Sequence, residues 1–301
     1  MKKKLILILS SLLCLSSSLT ANEMVPRPWQ LDMKGFHLTD AKSETKPYDE
    51  NRLSLTSAIM SLMYTQYLNA NGSGLIAEAA YSHLNLDWAE NPDVATKDFN
   101  DALFTFGAFT TEINNWFLLG TARVQVDATS WDFSNNARYR GLLQGRYQYT
   151  QDLDLYVGLM FYTNLQKDDV YPIFGFEYQE ENAPWKIKMV LPIESHIMYF
   201  INHEWSVGVE HRFIQERRRL KNNEGLNSLG DPRRDRGIFD ITAQGLELSA
   251  KYSPLEGSYA KVFAGMIYSP EYRTYDLEGQ NRRLYKFKSG FHFGGTASFT
   301  F

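Results

Sequence analysis

Cysteine is all but missing from this chain: Cys14 is the only one in 301 residues, and it stands inside an apolar N-terminal run. That excludes a disulfide framework, and with it the thiolate sets of zinc and iron–sulfur centres. Histidine is sparse too. His37, His83, His196, His203, His211 and His292 are scattered, with no compact spacing to acids or to one another. No metal site and no cofactor is expected from such a pattern. After residue 21, no stretch approaches the ~20 apolar residues of a membrane-spanning helix. Basic excess is also lacking. The formal net charge is −4, which gives no footprint for a nucleic-acid partner. Asn71-Gly72-Ser73-Gly74 lacks the lysine and the helix of a phosphate-binding loop and reads as a turn.

What is present begins at the N-terminus. Lys2, Lys3 and Lys4 precede an apolar run from Leu5 to Leu15, then Ser16-Ser17-Ser18 and Leu19-Thr20-Ala21. This is the layout of a secretory signal peptide over residues 1–21, cleaved after Ala21, with residues 22–301 as the mature domain. The apolar run is about half the length of a membrane anchor. Lipidation at Cys14 is disfavoured because Leu13 occupies a position that calls for a small residue. Removing residues 1–21 leaves 28 basic against 35 acidic residues, a net of about −7. An exported chain of this kind must be held by burial and hydrogen bonding alone.

At the other end, Tyr285, Phe287, Phe291, Phe293, Ala297, Phe299 and Phe301 share one parity, and Lys286, Lys288, His292, Thr296, Ser298 and Thr300 share the other. Side chains alternate across a β-strand, so the segment is expected to have one apolar and one polar wall. At roughly 3.3 Å per residue and a 40° tilt it would span about 43 Å, enough to cross a membrane. Similar alternation marks Trp185–Leu191, Leu153–Phe161, Arg138–Tyr149 and Trp205–Phe213. Between Phe239 and Tyr252 the apolar parity changes at Gly245, which suggests a β-bulge or a broken strand.

The pattern predicts about fourteen strands, near 30–38, 52–66, 73–86, 99–112, 116–127, 138–149, 153–163, 170–179, 185–191, 195–201, 204–215, 238–252, 258–270 and 284–301, with twelve as the alternative count. Short turns fall at 67–72, 113–115, 150–152, 180–184, 202–203 and 253–257. Longer polar loops fall at 39–51, 87–98, 128–137, 164–169, 216–237 and 271–283, and a tight connection at Pro192 interrupts the alternation. Without a spanning helix, such a chain can cross a membrane only as a closed barrel. A soluble β-sandwich also alternates, but its strands are usually about 5–6 residues long. The fold expected is therefore all-β, a transmembrane antiparallel up-and-down β-barrel. Trp116, Trp185 and Trp205 each follow a short turn directly and are expected to form an aromatic girdle at one membrane boundary.

A signal peptide, alternating strands and the terminal Ser298-Phe299-Thr300-Phe301 resemble Gram-negative outer-membrane β-barrel proteins. The resemblance implies that Phe299 and Phe301 form the signal read by the barrel-assembly machinery, and that both termini are periplasmic. More narrowly, Tyr171–Tyr178 and Trp185–Pro192 resemble an uncharacterised barrel family, a domain of unknown function. That membership implies location and fold but no activity.

If the apolar parity faces lipid, Arg123, Arg138, Arg140, Arg146, Lys186, Lys188, Arg212, Lys251, Lys261, Lys286 and Lys288 line the lumen. Asp127, Asp154, Glu177, Glu210, Asp240 and Glu247 would oppose them. A cation-rich low-dielectric lumen favours anions, so one expectation is a porin-like pore for small solutes with an anion-leaning lumen. The alternative is a closed structural or surface-interaction barrel, its lumen filled by charge pairs across strands. In that case the loop Glu216–Gly237, with Arg217-Arg218-Arg219, Lys221, Arg233, Arg234 and Arg236, would meet lipopolysaccharide or an external partner, or would fold inwards.

An enzyme is the third possibility and is not expected. The His-x-Ser order of outer-membrane phospholipases does not occur, and Glu224, Asp231 and Asp235 read as solvated loop charge. The acidic groups Asp87, Glu90 and Asp93, or Asp40, Glu44, Asp49 and Glu50, fall short of the converging oxygens that calcium requires.

Overall fold

The computed structural model describes residues 27–46, 51–69, 72–88, 97–133, 136–165, 167–220 and 236–301. Residues 1–21, expected to be a signal peptide, lie outside the described residues. So do most of loop 216–237 and the loop acids Asp49, Glu50, Glu90 and Asp93.

Strands follow one another with no helix among the described residues. They are β1 (Trp29–Lys42), β2 (Arg52–Tyr67), β3 (Gly74–Trp88), β4 (Asp98–Thr110), β5 (Trp116–Asp127), β6 (Arg138–Gln148), β7 (Leu153–Asn164) and β8 (Lys167–Tyr178). Then come β9 (Trp185–Leu191), β10 (Glu194–Phe200), β11 (Trp205–Arg219), β12 (Ile238–Leu255), β13 (Ser258–Tyr275), β14 (Arg283–Lys286) and β15 (Gly290–Thr300). Each pairs antiparallel with its neighbour, and β1 pairs with β15, so the sheet closes. β14 and β15 both pair with β13 and are two parts of one interrupted strand, which makes a barrel of fourteen strands. Closure removes every free sheet edge where neighbouring strands are of equal length.

The start of β1 meets the end of the chain. Trp29 N donates to Phe301 O at 3.1 Å, and Phe301 N to Trp29 O at 2.9 Å. The short turns share this rim, and Asn115 (φ 62°) and Gly257 (φ 76°) supply left-handed backbone where the chain reverses. The longer connections lie at the opposite, loop rim. One reading changes here: the expected loop 164–169 is a tight turn, because β7 runs to Asn164 and β8 resumes at Lys167. Asp169 and Val170 belong to the alternation of β8, Asp169 facing in and Val170 facing out.

The barrel has two halves that use alternation in opposite senses. Near the termini rim the apolar parity faces outwards: Phe293 is 46 % exposed, Val207 40 %, Leu248 68 % and Val262 65 %. Near the loop rim the apolar parity faces inwards. Leu38, Leu53, Leu55, Leu84, Trp88, Phe99, Phe239, Ile241, Tyr272, Tyr285 and Phe287 form one dry core inside the barrel. Each such side chain stabilises the fold by about 1.5–3 kcal/mol through burial. Walls that are not neighbours in the sheet touch across this core. Phe99 meets Phe239 with ring centroids 4.6 Å apart, and Trp88 meets Tyr272, Tyr285 and Phe287 at 5.1, 5.0 and 5.2 Å.

Two expectations are corrected by this inversion. No bulge interrupts β12 at Gly245, since its register with β11 is unbroken from Trp205↔Tyr252 to Arg219↔Ile238. Odd residues of β12 point inwards throughout. What changes at Gly245 is the medium, from a polar interior below to a dry one above. Glycine is required there because a Cβ would lie 2.6 Å from Ile267 Cδ1. The bulges sit instead in β1 and β13, with Asp40 (φ 35°) and Ser269 (φ 40°) in left-handed backbone. The C-terminal segment, in turn, is not one continuous apolar wall. It is interrupted between Lys286 and Gly290, so Tyr285 and Phe287 enter the core while Phe291, Phe293 and Phe299 face outwards.

Candidate functional site in the lumen

Below the dry core the inward side chains are polar and mostly paired. Arg123 on β5 holds Glu78 at 2.8 Å and donates to Thr105. Lys186 pairs with Glu177, and Lys188 reaches Glu194 at 2.8 Å. Lys261 and Ser249 both donate to Glu210 at 2.7 Å. Arg212 clasps Glu247 with two bonds, the second at 2.8 Å, and His292 Nε2 lies 2.9 Å from the same carboxylate. Arg146 is 3.8 Å from Asp154, and Lys251 stacks its ammonium 4.3 Å over the Tyr259 ring. Charge-assisted bonds of this kind offset the desolvation of both partners only because each charge has a close opposite.

The expected basic lining is thus modified. Asp32, Glu78, Asp101, Asp169, Glu194 and Glu216 also point inwards and bring carboxylates level with cations. Strict parity counting from each strand's apolar residues would have revealed Glu78, which is level with Thr105 and two positions from Ala80. Asp240, taken as inward, faces out and is held by Arg217 at 2.8 Å and Arg273 at 3.8 Å. Lys286 and Lys288 also leave the lumen. Lys286 projects from the side opposite Tyr285, and Lys288 falls in the interruption itself, because that strand has turned its aromatic side inwards.

At the loop rim a second set of charges bridges the lumen. Asp101 on β4 forms ion pairs with Arg138 on β6 and Arg218 on β11, each at 2.8 Å, and Arg138 also donates to the Arg217 carbonyl. The Arg217–Arg219 run, read as the start of a charged loop, is the end of β11, and Arg217 and Arg218 are buried. Arg217 pairs with Asp240, and Arg218 with Asp101 and Glu216.

Beneath this bridge lies a cavity of about 350 Å³, lined by Lys34 and Phe36 of β1, Arg140 of β6, Met160 and Tyr162 of β7, Tyr171 of β8, Pro192, Ile193 and residues 212–216 of β11. Lys34 faces inwards at mid-height and is nonetheless solvent-exposed. Among the described residues no ion pair is formed by Lys34 or Arg140. Arg140 lies 5.4 Å from the Tyr162 ring centroid.

Trp116, Trp185 and Trp205 all lie at the termini rim, where each packs, with tilted rings, against a cross-strand tyrosine: Tyr147 at 5.0 Å, Tyr178 at 5.4 Å and Tyr252 at 4.7 Å. Trp29, which the sequence reading passed over, completes the series with Tyr64 at 4.7 Å. Phe299 and Phe301 are exposed at the same rim.

No family model matches this chain. It is 24 % identical to an uncharacterised protein of Chlamydia pneumoniae, over 92 % of this chain and 88 % of that protein. It is 21 % identical to an uncharacterised protein of Chlamydia trachomatis serovar D, over 91 % and 88 %. Among solved structures it is similar to an outer membrane channel from Pseudomonas putida F1, with 11 % identity, 94 % of this chain and 100 % of that chain covered, and a TM-score of 0.49. A deletion mutant of the TodX monoaromatic hydrocarbon channel gives 11 % identity, 92 % and 91 % coverage and a TM-score of 0.37. The closed sheet, the outward apolar belt and the aromatic rim together make this chain a fourteen-strand antiparallel β-barrel of the outer-membrane type.

Proposed function

We propose that the protein is an outer-membrane barrel that passes small solutes through a water-filled lower lumen, closed at its loop end in this conformation. The observation that carries this reading is Lys34, which is surrounded by barrel wall at mid-height yet exposed. An inert barrel would fill that level with packed or paired side chains, as the upper half does. Most inward cations already face a carboxylate. Anion preference then rests on Lys34 and Arg140 rather than on a ring of bases.

Reconstitution into a planar bilayer tests this. Discrete conductance steps with anion preference are expected, and Arg140→Glu should reduce that preference. A folded but silent barrel overturns the reading. The dry core and the Asp101 bridge favour one second reading, a shut barrel acting through its outer surface on lipopolysaccharide or an external partner, and silence would favour it.

A further inference from the structure

The barrel wall is uneven in height. β9 and β10 have seven residues each, whereas a tilted strand needs about 9–11 to cross the hydrocarbon layer. On the side facing this hairpin, β8 is paired only over Phe174–Tyr178, so the backbone of Lys167–Ile173 has no strand pairing on that side among the described residues. On the other side β11 is paired only over Ser206–His211, which leaves Arg212–Arg219 open towards β10. No other strand among the described residues fills the space between them. Val170 faces out, is 60 % exposed, and stands beyond the level of the hairpin tip, so the gap opens within the apolar belt.

Backbone edges cannot face hydrocarbon unpaired. They are tolerated at membrane depth only where protein covers them or where they line a water-filled cavity. A cavity lies directly behind. It runs from Ile193 and Phe213 at the gap, both exposed, to Lys34 and Arg140 in the lumen. Between these ends Met160, Tyr162, Tyr171 and Ile214 make an apolar strip, beside which Ser57, Gln215 and Glu216 also reach the cavity; Glu216 is held by Arg218 at 2.7 Å. At the inner end Arg140 stands directly opposite Arg123 in the β5–β6 register, a like-charge arrangement that is destabilising by itself. Arg123 is paired with Glu78 at 2.8 Å, whereas Arg140 forms no ion pair among the described residues and lies 5.4 Å from the Tyr162 ring centroid. A guanidinium without an ion pair, reached along an apolar strip, suits a negative group carried on an apolar body.

We propose that this cavity binds a small amphiphilic anion, with one carboxylate or similar acidic group on an apolar body, taken up sideways through the gap above the β9–β10 hairpin. The acidic group meets Arg140 and Lys34, and the apolar body lies along Tyr162, Tyr171 and Met160. The proposal rests on the outer-membrane barrel reading but not on conductance, so a silent bilayer leaves it standing.

The mature barrel, refolded in detergent, is titrated with octanoate, octanol and acetate and followed by calorimetry. Octanoate is expected to bind at one site about tenfold or more tighter than either of the others, and Arg140→Gln to weaken it about tenfold. Lys34→Gln serves as the second variant should Arg140→Gln not fold. Arg146→Gln, at the rim, should bind as the unaltered protein does. Equal affinity for acetate and octanoate, or unchanged affinity in both cavity variants, overturns the site. Lengthening β9 and β10 by two residues each should slow octanoate uptake at unchanged affinity, and an unchanged rate overturns the lateral route.

Discussion

The Arg218 guanidinium of β11 lies 2.8 Å from the Asp101 carboxylate of β4, although these strands are far apart in the sheet. Arg138 of β6 meets the same carboxylate at 2.8 Å. One buried acid therefore holds two buried cations and ties three walls together above the lumen.

Asp101→Ala should be strongly destabilising, because it leaves Arg138 buried without a carboxylate, while Arg218 keeps only Glu216. A loss of about 3–5 kcal/mol is expected. The temperature at which the heat-modifiable form converts on a gel should fall. An unchanged conversion temperature would show that Arg138 and Arg218 find other partners.

The dry core makes its own demand. Phe239 is fully buried between Phe99 and Tyr272, and Phe239→Ala should cost about 3–5 kcal/mol through lost burial and the cavity left behind. Urea unfolding from liposomes measures this. A cost below about 1 kcal/mol would mean that the loop half is not packed as a core.

Arg212, Glu247 and His292 form a buried charged group. Glu247→Leu leaves Arg212 unpaired and should cost about 3–5 kcal/mol. Glu247→Leu combined with Arg212→Leu should cost less than the sum of the single changes, with a coupling of about 0.5–3 kcal/mol. Additive losses would show that the two side chains act independently.

The outward belt is tested by charge. Val262→Arg and Leu248→Arg, the most exposed apolar positions of β13 and β12, should each cost about 2–4 kcal/mol in a bilayer. Gln215→Arg lies outwards beyond Phe213 and should cost about 0–1 kcal/mol, as expected near an interface. Equal penalties at all three positions would displace the belt from where the exposure puts it.

Period-two alternation made most of the barrel legible. The tight connection at Pro192 and the tryptophans after short turns came from the same local rules, because strand pairing between sequence neighbours needs nothing beyond turn chemistry and parity. Three kinds of feature were not legible. The inward acid Asp101 sits in a strand whose alternation is blurred by alanine and glycine. The bulge at Ser269 and the break after Phe287 shift parity by a single residue, which an apolar pattern alone cannot locate. The interruption also sent Lys286 out of the lumen, although its parity in the sequence is that of His292.

The sequence by itself determined that this chain is a series of hairpins with one apolar and one polar side per strand, since side-chain direction follows from backbone geometry residue by residue. Only the tertiary structure decided which medium each side meets. Phe239 and Leu248 are both apolar residues of β12, yet one packs against Phe99 inside the barrel and the other faces outwards. Such choices depend on strands more than a hundred residues apart closing into one wall. So do the Asp101 bridge and the gap above the short β9–β10 hairpin, because ion pairs and missing neighbours exist only once non-adjacent strands are placed.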